Sequence, residues 1–537
     1  MVDEKRLPTG IQTFKEIIED GYVYVDKTEF IHKLVNNGKI YFLSRPRRFG
    51  KSLLISTLEE LFKGSKDLFK GYYIEDKYDW NKSYPIIRLD FGNISHNTND
   101  ELKLSLNKFL NDTAIEFNIV LEDINLIADK FGELIRKIYE KTGKKIVILV
   151  DEYDKSITSH IDNIKLAKAN RNTLREFYQV LKSNDRYLHF LFITGVTKFA
   201  KTSIFSDLNH LKDITLNPLY STLCGYTQNE LEHYFNNYIE ENSLSQNISK
   251  SEMLNYIKDW YNGYSWDGEN FIYNPFSILN FLEDNEFNNY WFDSGTAKML
   301  VDLIKEGNVD INIIASKTSS FTGLFPSFEL NNIDFATVLL QNGYMTIKNK
   351  KTIKGEKPIY SLAIPNKEVE ESLFNYIIGT YINTNEGFVD ATLKNMLNYI
   401  INLDNVSLQR SIESQIHKIP NILYGELKKE IEAHYKILTI SWMQLLGFEI
   451  DQEIMTIKGR LDGILKRDDL IVIMEFKFSK TKSFDYMIKD AFNQIIKKEY
   501  YKPYQNKKVI LLALAFKPRD VKCELKTLYE VLSKVKK

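Results

Sequence analysis

The chain has little cysteine, almost no net charge and no long apolar run. Two cysteines, Cys224 and Cys523, stand far apart among 537 residues. That excludes a disulfide framework and any zinc cluster built on cysteine, and it fits a reducing compartment. The net charge is −1, so the molecule as a whole is not an electrostatic nucleic-acid binder, and such binding has to use local basic patches. No apolar stretch approaches the ~20 residues of a membrane span. The opening MVDEKRLPTG lacks the apolar core of a signal peptide. Low-complexity tracts, charged tails and internal repeats are missing as well. The expectation is a cytoplasmic protein with no membrane partner. Hydrophobic residues at 43% and charged residues at 27% describe an ordinary globular chain, and its length suggests roughly three domains of about 150 residues.

Four short apolar runs mark the first 200 residues: KIYFL (39–43), PIIRLDF (85–91), KIVILV (145–150) and LHFLFITG (188–195). Near-continuous apolar character predicts strands buried on both faces, as in a parallel sheet. Segments with helical spacing, such as SLLISTLEELFKG and ANRNTLREFYQVLKS, lie between them. Strand–helix alternation predicts an α/β layered domain over 1–220. Residues 221–366 read as a mostly helical module. It opens with a capping box at Thr227 and Glu230 and closes with a strand–turn–strand at 342–366. Residues 367–424 read as a helical connector, and 425–537 alternate again.

The stretch RPRRFGKS (45–52) ends as a phosphate-binding loop does, with Gly50, Lys51 and Ser52. In such a loop a buried strand turns tightly into a helix, and backbone N–H groups point at phosphate. The lysine reaches the β/γ-phosphates and the serine hydroxyl ligates Mg²⁺. The usual leading glycine is replaced by Arg45, which predicts either an ordinary backbone there or strain. It also predicts that Arg45→Gly leaves nucleotide binding intact while Lys51→Ala abolishes it. Arg45, Arg47 and Arg48 would neutralise phosphate or contact a partner; a solvated basic loop is the other reading. About 100 residues on, ILVDEYDK places Asp151 and Glu152 at the end of an apolar strand. This is the Walker B arrangement, with Asp151 holding Mg²⁺ through water and Glu152 orienting the attacking water. A third strand ends in Thr194, Thr197 and Lys198, where Thr197 or Lys198 would sense the γ-phosphate.

A second constellation lies in EIMTIKGRLDGILKRDDLIVIMEFKFSK (453–480). As a hairpin turning at Asp468-Asp469, it sets Asp462 opposite Glu475. Two facing carboxylates repel, and a divalent cation would remove the conflict. Lys477 shares the face of Glu475 and can stabilise the charge that develops in phosphodiester hydrolysis. Glu432, on the preceding helix, offers a third carboxylate. Gln494, on the following one, can reach a metal-bound water or the scissile phosphate. Lys497 and Lys498 supply local charge for a nucleic-acid backbone. Tyr500, Tyr501 and Tyr504 offer stacking surfaces or simple packing.

Together these motifs resemble the bacterial AAA-ATPase-like family that carries a C-terminal PD-(D/E)XK nuclease-superfamily domain. The resemblance runs through LPTGIQTFKEI, YVYVDKTEFI, RPRRFGKSLL, ILVDEYDK, FITGVTKFAKTSIFSDLNHLKDIT, WYNGYSWDG, NGYMTIK, LAIPNKEV, GRLDGIL, IVIMEFKF and QIIKKEYY, nearly the whole chain. The family's loop has no leading glycine, so Arg45 is a family feature. The resemblance implies an α/β protein in three parts. They are a P-loop NTPase (AAA/ASCE-like) parallel-sheet domain, a helical lid or winged-helix-like middle region, and a C-terminal restriction-endonuclease-like domain. It implies ATP held by Arg45, Arg48, Phe49, Gly50, Lys51, Ser52, Asp151, Thr197 and Lys198, with Ser52 and Asp151 on Mg²⁺. Glu152 would be catalytic in the ATPase half, and Asp462, Glu475, Lys477 and Gln494 in the nuclease half. Glu432, Asp462 and Glu475 would bind Mg²⁺, with Mn²⁺ as an alternative. The partner is nucleic acid, DNA ahead of RNA, and a homo-oligomer stays open. YVDKT (Tyr24–Thr28) is a family mark whose place beside the nucleotide base is one option. Three readings remain: an ATP-regulated nuclease, a nucleotide-dependent switch whose C-terminal domain binds nucleic acid or protein without cutting, or a structural interaction protein in which both sites are vestigial.

Overall fold

The apolar runs become neighbouring strands in the computed structural model. It describes residues 5–122, 126–161, 163–198, 204, 205, 208, 210–292, 319–322, 335–382, 395–417, 431–451, 455, 456, 459, 460, 463–467, 469–518 and 520–535. The chain divides into two compact units, Met1–Trp291 with Ser320–Glu368, and Phe292–Ser319 with Val369–Lys537.

In the first unit, Ile40–Ser44 (β1), Ile86–Asp90 (β2), Ile146–Asp151 (β3), Leu188–Gly195 (β4) and Lys212–Asp213 (β5) form one parallel sheet in the order β2-β3-β4-β1-β5. Every residue of β1 and β3 is buried, because helices cover both faces of such a sheet. The helix Lys51–Lys63 turns Leu54, Ile55, Leu58, Leu61 and Phe62 inward. It stops at Gly64, whose left-handed backbone (φ 82°) lets its N–H reach the carbonyls of Glu60 and Leu61. The helical module follows as Gln228–Tyr234, Asn236–Ser245, Lys250–Tyr261 and Pro275–Asp284. The capping box of Thr227 and Glu230 is present, and Ser249 with Glu252 forms a second. Its core takes in Val23 and Val25 from the N-terminal segment beside Leu231, Ile257 and Phe281. Ser319–Thr322 (β6), Thr346–Lys351 (β7) and Ile359–Ala363 (β8) make a small sheet in which β7 and β8 are antiparallel.

The second unit carries a mixed sheet ordered β15-β14-β13-β12-β9. Its strands are Glu449–Asp451 (β9), Gly463–Arg467 (β12), Leu470–Phe478 (β13), Lys508–Lys517 (β14) and Asp520–Thr527 (β15), while Met455–Thr456 (β10) and Gly459–Arg460 (β11) pair separately. The helix Phe484–Lys498 lays Met487, Ile488, Ala491 and Ile495 on Ile471, Ile473, Leu511, Ala513 and Ala515. Tyr500 and Tyr501, read as candidate stacking surfaces, are core residues at 1% and 9% exposure. They follow a helix whose apolar face already points inward, so the chain carries them under it. Among the described residues no helix is long and apolar enough to cross a membrane.

Candidate functional site

β1 delivers the chain to Ser44, and the loop Arg45–Gly50 leads into the helix Lys51–Lys63. Gly50 has φ 85° at the helix start, and no side chain caps that end. The first-turn amides and the positive pole of the helix therefore face the loop. Lys51 is buried, and its Nζ donates to the carbonyls of Arg45 (3.0 Å) and Pro46 (2.8 Å). Burial lowers its pKa, while Asp151, Glu152 and Asp154 act in the opposite sense. Ser52 sits half-buried in the first turn.

β4 lies between β1 and β3, so Asp151 is one strand removed from the strand that feeds the loop. Asp151 is buried, and its Oδ1 accepts from Thr194 Oγ1 (2.6 Å) and from the Glu152 N–H (3.0 Å). Glu152 adopts a left-handed backbone (φ 51°) and pairs with Lys155 at 2.9 Å. Sequence reasoning passed over Asp154, although it lies within ILVDEYDK. Its buried carboxylate accepts the N–H groups of Val196 (3.2 Å) and Thr197 (2.6 Å), tying the end of β3 to the end of β4. Burial raises its pKa, and the amides of Thr197 and Val196 oppose that. A Cβ on Gly195 would run into Asp154 Oδ1 and the Tyr153 ring, so any side chain there would push this junction apart. Thr197 is buried beside Asp154, and its carbonyl accepts from Tyr153 OH (2.7 Å). Lys198 Nζ pairs with Asp213 at 2.6 Å.

Arg45 differs from the expectation of phosphate contact. Arg45 is fully buried. Its Nη1 donates to the carbonyls of Ser44 (2.8 Å) and Thr215 (2.9 Å), and its Nη2 to that of Tyr220 (3.1 Å). The guanidinium lies 4.1 Å over the Trp266 ring. Burial lowers its pKa to about 10, so it stays charged at neutral pH. Its backbone φ is not positive; the loop's left-handed non-glycine residue is Arg48, at φ 65°. Arg48 Nη1 donates to the Tyr290 carbonyl (2.7 Å), and its guanidinium covers the Phe276 ring. Arg47 is exposed. Phe49 is buried edge-on against Tyr264 (4.8 Å) and Trp266 (5.4 Å). The WYNGYSWDG segment thus forms the wall that holds the loop.

YVDKT also takes a definite place. Lys27 Nζ donates to both carboxylate oxygens of Glu230 (2.6 and 2.7 Å) and to the Thr222 carbonyl (2.9 Å). Asp26 accepts from the N–H and hydroxyl of Thr28 and from the Tyr73 N–H. These residues join the N-terminal segment to the helical module. Lys27→Met leaves the Thr222 carbonyl without this donor and the half-buried Glu230, still held by Thr227, without its cation, a loss of about 1–3 kcal/mol. The expected result by calorimetry is a lower melting temperature, partly restored in Lys27→Met/Glu230→Gln, with ATP affinity unchanged.

In the second unit the β12–β13 ladder runs from Arg467↔Leu470 to Gly463↔Met474, the register expected of a turn at 468–469. Asp462 lies outside the described residues. Glu432 belongs to the helix Ile431–Leu445, but its side chain is also outside the description. The structure brings the other three together. Glu475 is buried on β13 at 1% exposure. Lys477 Nζ donates to Glu475 Oε1 (3.1 Å) and to Gln494 Oε1 (2.7 Å). Asp490, one turn before Gln494 and unremarked in the sequence, has Oδ2 3.8 Å from the same ammonium. The i, i+4 spacing of Asp490 and Gln494 on one helix was the available signal.

Comparison with known proteins bears on both units. Residues 8–205 match a family described as predicted AAA-ATPase, and residues 430–525 match the PD-(D/E)XK nuclease superfamily. A protein of Azotobacter chroococcum mcd 1, described as an uncharacterized protein in the vnfD 5′ region, is 35% identical over 480 residues, 89% of this chain and 90% of its own length. The chain belongs to the predicted AAA-ATPase family with a C-terminal PD-(D/E)XK nuclease-superfamily domain. The parallel five-stranded sheet is its P-loop fold, and the mixed sheet with its helices is the PD-(D/E)XK fold.

The donor chemistry of this AAA-ATPase and nuclease pair suits hard divalent cations, which prefer oxygen ligands. In the first unit, Ser52 in the first helical turn and the buried Asp151 supply oxygens near the loop. In the second, the buried Glu475 supplies a carboxylate next to a lysine. Among the described residues no three His, Cys, Asp or Glu side chains converge as a complete cage.

Proposed function

We propose that this protein binds and hydrolyses ATP in its first unit and uses it to regulate Mg²⁺-dependent phosphodiester cleavage by its second. The observation that carries the nuclease reading is the Lys477 ammonium within hydrogen-bond reach of both Glu475 and Gln494. One carboxylate, one lysine and one amide meet at a strand and a helix, and this supports the reading because such groups can hold a metal, stabilise charge and orient a water. In this reading Glu475, with Asp462 and Glu432, holds Mg²⁺ or Mn²⁺. The metal, when bound, polarises the phosphoryl oxygen and lowers the pKa of a bound water. Lys477 stabilises the developing negative charge, and Gln494 orients the water or the phosphate. Lys497 and Lys498, in the last turn of the same helix, lie close enough in sequence to engage the nucleic-acid backbone, DNA ahead of RNA.

In the first unit Lys51 and the helix N-terminus hold the phosphates, Ser52 and Asp151 hold Mg²⁺, and Glu152 orients the attacking water. For Glu152 this requires release from Lys155. Thr197, just past the end of β4, would sense the γ-phosphate, while Lys198 would have to leave Asp213 to play that part. Arg45 supports the loop from behind and does not touch phosphate. A homo-oligomer in which a neighbour supplies an arginine is compatible with this scheme. The second reading is a nucleotide-dependent switch whose C-terminal domain binds nucleic acid or protein without cutting.

Glu475→Gln separates the two. The amide keeps an acceptor for Lys477 but removes the buried charge. Wild type is expected to melt higher with added Mg²⁺ or Mn²⁺, and Glu475→Gln to lose that shift together with at least ~100-fold of the cleavage rate. A metal-induced shift that survives in Glu475→Gln, with no cutting by wild type, favours the switch.

A further inference from the structure

The chain leaves the first unit twice, after Trp291 and after Glu368, and these two residues touch. The Glu368 carboxylate is fully buried, and its Oε1 accepts the backbone N–H groups of Tyr290 and Trp291, each at 2.8 Å. Ser277 Oγ donates to its Oε2 at 2.8 Å. The next contacts run into the phosphate loop. Trp291 Nε1 donates to the Arg47 carbonyl at 3.2 Å, and the Tyr290 carbonyl accepts from Arg48 Nη1 at 2.7 Å. One carboxylate therefore holds two amides, and the residues that own those amides hold two consecutive loop residues.

An acidic residue at the start of a helix ordinarily serves its own helix. Glu368 stands near the start of the helix Lys367–Ile382, yet these bonds go to a distant segment instead. Burying a carboxylate is unfavourable unless it is well hydrogen-bonded. Desolvation pushes this one up to about 7, against the pull of its amide and Ser277 bonds and of Arg48. The loop side of the contact is strained as well, since Arg48 holds a left-handed backbone, which disfavours an L-residue by about 1 kcal/mol. A position of this kind persists only where its surroundings over-determine it.

We infer that Glu368 and Trp291 are positioning residues of the nucleotide site, and that through them occupancy of the loop is linked to the two points where the chain enters the second unit. The inference rests on the loop being a nucleotide site. Phosphate bound there acts on the backbone and charge of Arg47 and Arg48. Any shift of these residues moves the Tyr290 carbonyl and the Trp291 indole, and with them the amides on Glu368. Linkage is reciprocal: whatever factor nucleotide exerts on this brace, the brace exerts on nucleotide affinity.

The test is hydrogen exchange across residues 286–291 of the full chain with and without ATP and Mg²⁺, beside calorimetry on three variants. ATP is expected to change exchange of the Tyr290 and Trp291 amides at least threefold. Trp291→Phe keeps an aromatic ring and deletes the indole donor; it should weaken ATP binding by roughly threefold to tenfold. Glu368→Ala should weaken binding similarly, and Glu368→Gln, which retains the Oε1 acceptor, should restore it. A merely structural role would lower the melting temperature of Glu368→Ala without this rescue of affinity. Wild type that binds ATP with unchanged exchange at both amides, and Trp291→Phe that binds as wild type does, would overturn the inference. Wild type that binds no ATP would overturn the nucleotide site itself, and the inference with it.

Discussion

Lys51→Ala is expected to abolish ATP binding, raising Kd at least ~100-fold, while the free protein keeps its fold. The lysine is the one loop cation whose ammonium rests on the loop's own carbonyls, at Arg45 and Pro46. Phosphate oxygens beside it would gain charge-assisted hydrogen bonds, each about 1.5–3 kcal/mol, and two of them account for the factor. The free protein loses two hydrogen bonds in this variant but is also relieved of a desolvated charge, so the two effects on stability largely cancel. Isothermal titration with ATP and Mg²⁺ measures the first effect, and calorimetric melting the second. Binding that survives in Lys51→Ala would place the phosphates elsewhere.

Arg45→Gly is expected to unfold the first unit or lower its melting temperature by more than ~10 °C. The sequence alone suggests the opposite, since glycine restores the common loop pattern. The structure reverses that expectation because Arg45 is interior. Its loss leaves the carbonyls of Ser44, Thr215 and Tyr220 without this donor, at about 1–3 kcal/mol for a buried group stranded in this way. The stack on Trp266 goes too, worth about 2 kcal/mol when desolvated, and a cavity remains. A sum on the order of 5 kcal/mol is comparable with the whole stability of a domain. Arg45→Lys should fall nearly as far, because an ammonium cannot span three carbonyls as a planar fork does. A melting temperature close to wild type for Arg45→Gly would contradict this account.

These two residues show what a sequence can and cannot disclose. Lys51 and Asp151 were legible because each adjoins a strand whose apolar run announces itself, and strand ends are where such sheets bind ligands. Glu475, Lys477 and Gln494 were legible because the strand period and the following helix put them on one side. Arg45 was misleading: an arginine in a loop with Arg47 and Arg48 reads as solvated, and two of its acceptors come from Thr215 and Tyr220, far along the chain. The same distance concealed the pair of Lys27 and Glu230 and the brace from Glu368 to Trp291. Asp154 lay within a quoted motif, yet its amide partners at Val196 and Thr197 belong to another strand. The tyrosines after Gln494 read equally as stacking surface or packing; for Tyr500 and Tyr501, burial under the helix decided for packing.

The central claim is that one chain joins an ATP site to a metal-dependent nuclease site. It is tested most directly by incubating wild type and Asp462→Ala with supercoiled plasmid and with single-stranded substrates in Mg²⁺, each with and without ATP. The account predicts that wild type cuts, that ATP changes its rate, and that Asp462→Ala does neither. Wild type as inert as Asp462→Ala under every condition would contradict it.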